Sequence, residues 1–193
     1  MQKLDESDLL SLERYSRERT EFRARVLAHK QARTIHLGAH LTLLFEDRLT
    51  VQYQVQEMLR IERIFEIEGI AEELAAYNPL IPDGANLKAT LLIEFDDVDE
   101  RRRELERLRD VEHDIRLVVE GHPAIVGIAD EDLERSNESK TSAVHFLRFE
   151  LDAAAISAFR TGARVHLAID HPHYRATSEL DGSQSAALLE DLA

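Results

Sequence analysis

Residues 41–65, LTLLFEDRLTVQYQVQEMLRIERIF, decide how this chain folds, because an alternating strand runs here directly into a long helix. Leu41–Phe45 has the strand pattern and Leu49–Phe65 the helical one. Among its apolar residues the helix carries a polar set: Gln52, Tyr53, Gln54, Gln56, Glu57, Arg60 and Glu62. A fully exposed helix and a fully buried helix both lack this mixture of polar and apolar residues. We therefore expect these side chains to be at least half buried and to have partners.

The polar side chains fall on two neighbouring ridges of the helix, because residues three and four apart share a face. Gln52, Gln56 and Arg60 form one ridge, and Tyr53, Glu57 and Arg60 form the other. The favoured interpretation is a polar network in which Glu57 pairs with Arg60. A ligand or partner surface on the same residues is the alternative, and a catalytic Glu57 is a further one.

The composition describes an acidic chain of 193 residues, with 38 acidic and 24 basic side chains and a formal charge of −14. Such a charge repels nucleic acid and anionic lipid, so neither is an expected partner. The chain contains no cysteine, which excludes disulfides, Cys-ligated iron–sulfur clusters and thiol nucleophiles. The polar N-terminus and the lack of an apolar run of about 20 residues predict a soluble, cytoplasmic protein.

Outward from the opening stretch, residues 1–78 are predicted to be rich in helix. A helix over Ser7–Gln31 precedes a hairpin of Ile35–Leu37 and Leu41–Phe45 around Gly38. A shorter helix follows Leu49–Phe65 and ends near Tyr77. The loop Asn78–Gly84, NPLIPDG, then separates this part from the second.

Residues 87–170 are predicted to be rich in strands, with tight hairpins between several of them. The pattern places strands at Leu87–Phe95, Ile115–Glu120, Ala124–Ile128, Ser142–Leu151 and Arg164–Asp170, with helices at Val98–Arg109 and from Asp152 to Phe159. Residues 175–193 are predicted to be a polar tail with a weak helix over Gln184–Leu192. We expect a single α+β domain over 1–193 with a mostly antiparallel sheet.

The best sequence candidate for a metal site is the segment 165–174, VHLAIDHPHY, which contains His166, Asp170, His171 and His173. Imidazole and carboxylate groups are suitable ligands for zinc and for ferrous iron. However, the alternation of a strand sends His166 and His171 to opposite faces. A hydrogen-bonded strand end is therefore the favoured interpretation, and a metal site is the alternative.

Other candidates have simpler interpretations. His145 lies in a core strand and is predicted to be a hydrogen-bonded core histidine. The run 130–134, DEDLE, lacks the EF-hand pattern and is predicted to be a helix start or solvated loop. The basic cluster at 101–109 is nearly neutralised by neighbouring acids and indicates a solvated helix. The sequence has no GxSxG, GxGxxG or Walker motif.

Several stretches together resemble the bacterial domain-of-unknown-function family 3501. They are residues 40–64, 76–95, 129–136, 140–151 and 165–174, and the resemblance extends from about Leu4 to Tyr174. It implies no established activity and no catalytic residues. The genes of this family often neighbour those of rubrerythrin-like and iron–sulfur oxidoreductase proteins, which implies a link to redox or peroxide defence.

Three functions follow from these observations. The first is an accessory or binding protein of a redox system, which is expected to form a homo-oligomer and to contact a redox partner protein. The second is a metalloprotein with iron or zinc on histidine and carboxylate ligands. The third is an enzyme acting on a small polar molecule near Glu57, Arg60 and the loop Asn78–Gly84.

Overall fold

Two antiparallel sheets share one core in the computed structural model, which describes residues 2–131, 135–136 and 139–193. The helices are α1 Leu12–Gln31, α2 Arg48–Glu62, α3 Ile67–Tyr77, α4 Val98–Arg107, α5 Ala153–Arg160 and α6 Gly182–Leu189. The strands are β1 Thr34–Leu37, β2 Leu41–Phe45, β3 Asn86–Ile93, β4 Ile115–Val119, β5 Ile125–Val126, β6 Ile128–Ala129, β7 Val144–Glu150, β8 Val165–His171 and β9 Tyr174–Glu179. The predicted α+β class with antiparallel pairing is confirmed.

The two sheets have the orders β1-β2-β3-β7-β6 and β5-β4-β8-β9. Alternate residues of their strands point inward, as Leu87, Ala89, Leu91 and Ile93 of β3 do, and are almost completely buried. The opposite face of the first sheet meets α2 and α3 across a cleft. In the described part of the chain, no helix combines the length and apolar character that crossing a membrane requires.

The hairpin β1–β2 turns at Gly38, which has a φ of +77°. This is the left-handed region that favours glycine. A Cβ atom at this position would overlap the hydroxyl of Tyr174, which donates to the carbonyl of Leu37 at 2.9 Å. The turn therefore needs glycine for both its conformation and its contact with β9.

Helix α2 begins and ends by local chemistry. The Asp47 carboxylate accepts from the Thr50 amide at 2.9 Å, and the Thr50 hydroxyl accepts from the Asp47 amide at 2.9 Å. This reciprocal cap satisfies amides that have no partner in the first turn. Arg63 takes a left-handed conformation with φ +57°, so the helix stops before the predicted Phe65.

Two predicted segments differ from the structure. Helix α1 starts at Leu12, capped by Ser11, and the residues predicted as its first turn instead run along α2. The segment 175–193 is not a polar tail, because it completes β9 at the edge of the second sheet. The helix predicted over Gln184–Leu192 is present as α6, from Gly182 to Leu189. Residues 132–134, part of the predicted acidic loop, lie outside the described residues.

Candidate functional site

The two glutamines of the predicted ridge anchor the N-terminal segment to α2. The Gln52 amide donates to the Asp8 carbonyl at 2.6 Å. The Gln56 side chain is fully buried, and it accepts from the Leu10 amide at 2.5 Å and donates to the Leu10 carbonyl at 3.3 Å. These amides satisfy the backbone of an irregular segment, and that role needs no ligand.

Glu57 is the centre of an ion-pair network between α1 and α2. It accepts two bonds of 2.7 Å from Arg19 and one of 2.6 Å from the Tyr15 hydroxyl. Arg60 adds longer contacts of 3.2 and 3.3 Å and is largely exposed. The Arg19 bonds lower the pKa of Glu57 from 4.5 to about 2, and the Tyr15 and Arg60 bonds act in the same direction. A carboxylate with this pKa and these partners is a poor general base at neutral pH.

Tyr53 completes the predicted ridge through ring contacts. Its ring stacks on Phe22 with the centroids 6.1 Å apart, and the Lys30 ammonium lies 5.8 Å from its centre. The structure therefore brings Gln52, Tyr53, Gln56 and Glu57 into contacts with α1 and the segment before it. These contacts explain the polar character of those four residues. The expected burial was wrong for Gln54, Arg60 and Glu62, which are exposed.

The structure does not bring the four predicted metal ligands together. His166 and Asp170 lie on the outer face of β8, where Asp170 pairs with Arg175 at 2.7 Å, whereas His171 is buried. The Nε2 atom of His171 lies 3.1 Å from the Arg109 carbonyl, and its Nδ1 accepts from the His173 amide at 3.2 Å. The strand alternation that argued against the site separates the ligands, and both nitrogens of the buried ring already have partners.

A different histidine and carboxylate cluster lies where β6, β7 and the turn after α4 meet. Glu112 belongs to a 3-10 turn over Val111–Asp114, Asp130 follows β6 with a φ of +48°, and His145 points inward from β7. The side chains of Glu112, Asp130 and His145 are 2%, 7% and 0% exposed. Within the described part of the chain, this is the one group of three such residues whose ligand atoms lie within 4.8 Å of one another.

Asp130 fixes the His145 ring from its Nδ1 side. One Asp130 oxygen lies 2.6 Å from His145 Nδ1, and the other accepts from the Phe146 amide at 3.0 Å and from Arg135 at 3.3 Å. A carboxylate in this position determines the ring orientation and leaves Nε2 to face the rest of the cluster.

The Nε2 side of His145 is surrounded by oxygen atoms. The Thr141 hydroxyl lies 2.8 Å from Nε2, the Ser142 carbonyl 3.0 Å and the Glu112 carboxylate 3.7 Å. Thr141 also donates to Glu112 at 3.1 Å, and Ser136 donates to the other Glu112 oxygen. In the described residues, no Lys or Arg lies within 4 Å of the Glu112 carboxylate.

One of these separations is close to that of a small coordination shell, the 3.7 Å between His145 Nε2 and the Glu112 carboxylate. The Thr141 and Ser142 oxygens, in contrast, lie at hydrogen-bond distances from Nε2. A tetrahedral zinc ion with bonds of about 2.0–2.2 Å holds its ligand atoms about 3.3–3.6 Å apart. The separations around Nε2 range from 2.8 to 3.7 Å. The ligands would be His145 Nε2 and Glu112, with the Thr141 hydroxyl and the Ser142 carbonyl beside them. Asp130 would orient the ring without binding the ion.

The comparisons with known proteins identify the family. The model of the family described as protein of unknown function (DUF3501) matches residues 3–192. The chain belongs to the DUF3501 family. Its structure is similar to the crystal structure of a novel protein of unknown function from Burkholderia pseudomallei K96243, with 48% identity over the whole of both chains and a TM-score of 0.95. No curated protein matches the chain significantly.

The sequence of this DUF3501 protein gave little indication of the buried cluster. Its three residues come from three elements, so no local spacing joins them. His145 was predicted as a hydrogen-bonded core histidine, and the structure does give both of its nitrogens partners. Asp130 was assigned to a loop or helix start, and Glu112 was not singled out. The one available signal was a histidine at an inward position of an alternating strand.

Proposed function

We propose that this protein is a metalloprotein that binds one divalent ion of the zinc or ferrous iron class between His145 Nε2 and Glu112. The carrying observation is the Glu112 carboxylate, which is 2% exposed and faces a buried imidazole. Among the described residues, no Lys or Arg lies within 4 Å of it, and the exposed His113 ring lies at 4.0 Å. A buried carboxylate without a compensating charge is costly, and a metal ion supplies that charge.

The hydrogen bonds of His145 also support an ion at Nε2. Its Nδ1 faces the Asp130 carboxylate and its Nε2 faces the Ser142 carbonyl, and both oxygens are acceptors. A neutral imidazole has only one N–H, so with Nδ1 donating to Asp130 the Nε2 atom can accept from the Thr141 hydroxyl but offers no donor to the Ser142 carbonyl. Either a second proton on the ring or a metal ion would lie between Nε2 and the Ser142 carbonyl oxygen. A metal ion there would also take the Ser142 carbonyl and the Glu112 carboxylate as ligands.

The donor set limits the choice of ion. One imidazole with carboxylate, carbonyl and hydroxyl oxygens suits zinc, ferrous iron or manganese, and the absence of cysteine disfavours copper(I). The family resemblance implies an accessory role in a redox system and a redox partner protein. Bound iron would be consistent with both. Zinc would make the site structural.

Metal titration of purified protein without an affinity tag tests this proposal. We expect the wild type to bind about one zinc or ferrous ion per chain and to gain thermal stability, because an ion that binds the folded state stabilises it. Glu112→Gln keeps the size of the side chain and removes its charge, so it should abolish the stabilisation. Asp130→Asn should weaken binding by about 10–100-fold, as loss of an orienting group does.

His171→Gln is the matched control, because His171 is also buried and hydrogen-bonded but lies outside the cluster. It should bind the ion as the wild type does, apart from any change in folding stability. Equal metal affinity in the wild type and Glu112→Gln, or no stabilisation by any of the three ions, would contradict the proposal and leave a protonated His145 as the explanation.

A further inference from the structure

A cleft between the first sheet and the helices α2 and α3 adjoins the metal candidate, because Arg135 and Phe146 line the cleft and both donate to Asp130. Its main hollow has a volume of about 660 Å³, and a second of about 300 Å³ shares Tyr77, Leu80 and Phe146 with it. It lies beside the predicted loop Asn78–Gly84, but Glu57 and Arg60 do not line it. This volume lies in the range of small-molecule sites.

The walls of the cleft are mainly apolar. Met58 and Leu80 form one side, and Phe146 projects from the outer face of β7 on the other. Ile128 and Val144, which line the two hollows, are 41% and 37% exposed. Several large apolar side chains of the cleft are in contact with water. Covering them with an apolar group lowers the free energy and so favours binding.

Lys88 is one of the charged groups that line the cleft, with Glu131, Arg148 and Arg135. Arg135 lies over the Phe146 ring at 4.6 Å and pairs with Asp130. The Lys88 ammonium donates to the Pro79 carbonyl, and no described carboxylate lies within 4 Å of it. The neighbouring Arg148, in contrast, is held by Glu131 and Glu150.

Lys88 is half-buried, and its burial, followed by the nearby charge of Lys3, lowers the pKa of the ammonium. The nearby Asp83 and Glu131 act in the opposite direction on this pKa. The positive charge is therefore partly compensated, without a direct ion pair among the described residues.

Of the residues that the structure describes, the opposite wall of the cleft carries one carboxyl group, that of Glu73. Glu73 of α3 lines the cleft, and its pKa is raised by burial and by the nearby charges of Glu62 and Glu72. A carboxyl group in these surroundings takes up a proton more readily than an exposed one does. In its protonated form it could also donate a hydrogen bond to a ligand.

We infer that this cleft binds a small organic carboxylate with an apolar body, whose carboxylate group pairs with Lys88 and whose body lies against Phe146 and Leu80. The charge of the ligand complements the ammonium, and its apolar part covers the exposed walls. A ligand with a phosphate group alone is less suitable, because phosphate sites generally use arginine forks or backbone amides, and Arg148 is already occupied.

Isothermal titration with octanoate as the probe tests this inference. Octylamine, which has the same chain with the opposite charge, and inorganic phosphate, which lacks the chain, are the matched probes. We expect octanoate to bind and the other two not to bind measurably. Lys88→Met should weaken octanoate binding at least tenfold, and Phe146→Ala should also weaken it.

Lys30→Met is the control variant, because Lys30 is another half-buried lysine, lying against Tyr53 outside the cleft. It should bind octanoate within twofold of the wild type, and thermal melts should show that each variant is folded. Octanoate binding that Lys88→Met leaves unchanged, or equal binding of octylamine, would overturn the inference. Because Arg135 and Phe146 line the cleft and also bond to Asp130, octanoate binding is measured in metal-free protein, so that its failure is distinct from failure of the metal proposal.

Discussion

At the scale of the residue, Glu57 shows how one carboxylate can join two helices. Three side chains donate to it, Tyr15 and Arg19 from α1 and Arg60 from its own helix. The Arg19 pair is bidentate, which is the strongest geometry for a guanidinium and a carboxylate. Because its acceptors are occupied, Glu57 is better suited to hold α1 in place than to act on a substrate.

Glu57→Gln should destabilise the protein at neutral pH by about 1–3 kcal/mol, because it removes charged hydrogen bonds in a half-buried place. The pKa of Glu57 is lowered from the ordinary value of 4.5 to about 2. The wild type therefore has this additional stability in full at pH values above 4.5. The gain is lost as the pH falls from 4.5 through 2. Urea unfolding between pH 7 and pH 2 should show the two proteins converging at the acid end. A constant difference across that range would contradict the assignment.

The same residue scale explains what could be predicted of the candidate sites. Gln52, Gln56 and Glu57 were identifiable because one helix carries them all at regular spacing. The partner of Glu57 was predicted to be Arg60, but Arg19 makes the shorter bonds, because a contact between helices has no signature in local spacing. Glu112, Asp130 and His145 meet only through the sheet topology. Sequence periodicity therefore could not predict their cluster.

At the scale of the element, the C-terminal helix α6 is tied to the start of the fold through Arg33. This side chain is 1% exposed and binds both oxygens of Asp191, at 2.7 and 2.9 Å. It also lies 3.1 Å from Asp47, the cap of α2. At the end of the chain, the Ala193 amide donates to the Gly84 carbonyl at 2.7 Å. One buried guanidinium thus connects three elements.

Asp191→Asn should destabilise the protein by about 3 kcal/mol, because loss of one member of a buried pair leaves the other charge uncompensated. Asp47 still compensates part of the Arg33 charge in the variant. The expected loss of stability is therefore at the lower end of the range for breaking a buried ion pair. Chemical unfolding provides the measurement, with the exposed neighbour Glu190→Gln as control and an expected change within about 0.5 kcal/mol. If both substitutions changed the free energy of unfolding equally, the buried pair of Arg33 and Asp191 would contribute no more to stability than an exposed charge does.

The elements near this C-terminal region were the least predictable part of the fold. The sequence predicted β1, β2, β3 and β7 because their inward residues are large and apolar. In β9, by contrast, the segment YRATSE has few such residues, because it is an edge strand with one half-buried face. Its place is determined by pairing with β8 and by the contact of Tyr174 with the β1–β2 turn.

At the scale of the whole molecule, the corner between α2 and α3 exposes three large apolar side chains. Ile61, Phe65 and Ile67 are 60%, 63% and 65% exposed. Apolar side chains gathered in one place mark contact surfaces more often than scattered ones do. The homo-oligomer expected from the sequence stays a prediction, and we propose this corner as its contact.

Light scattering at micromolar concentration should therefore give about twice the mass of one chain, since symmetric dimers are the commonest assemblies. Phe65→Glu should shift the protein towards the monomer by placing charges in the contact. Val98→Glu is the control, because Val98 is 61% exposed on α4, away from this corner. A monomeric wild type would contradict the dimer, and a dimeric Phe65→Glu would contradict the proposed contact.

The central claim concerns the ion at His145, and anomalous diffraction tests it most directly. Crystals of untagged protein grown with zinc or ferrous iron should be measured on both sides of the absorption edge of the metal. The account predicts one strong anomalous peak about 2.0–2.2 Å from His145 Nε2 and within bonding distance of Glu112. No peak at this cluster, with His145 still bonded to Asp130 and the Ser142 carbonyl, would contradict it.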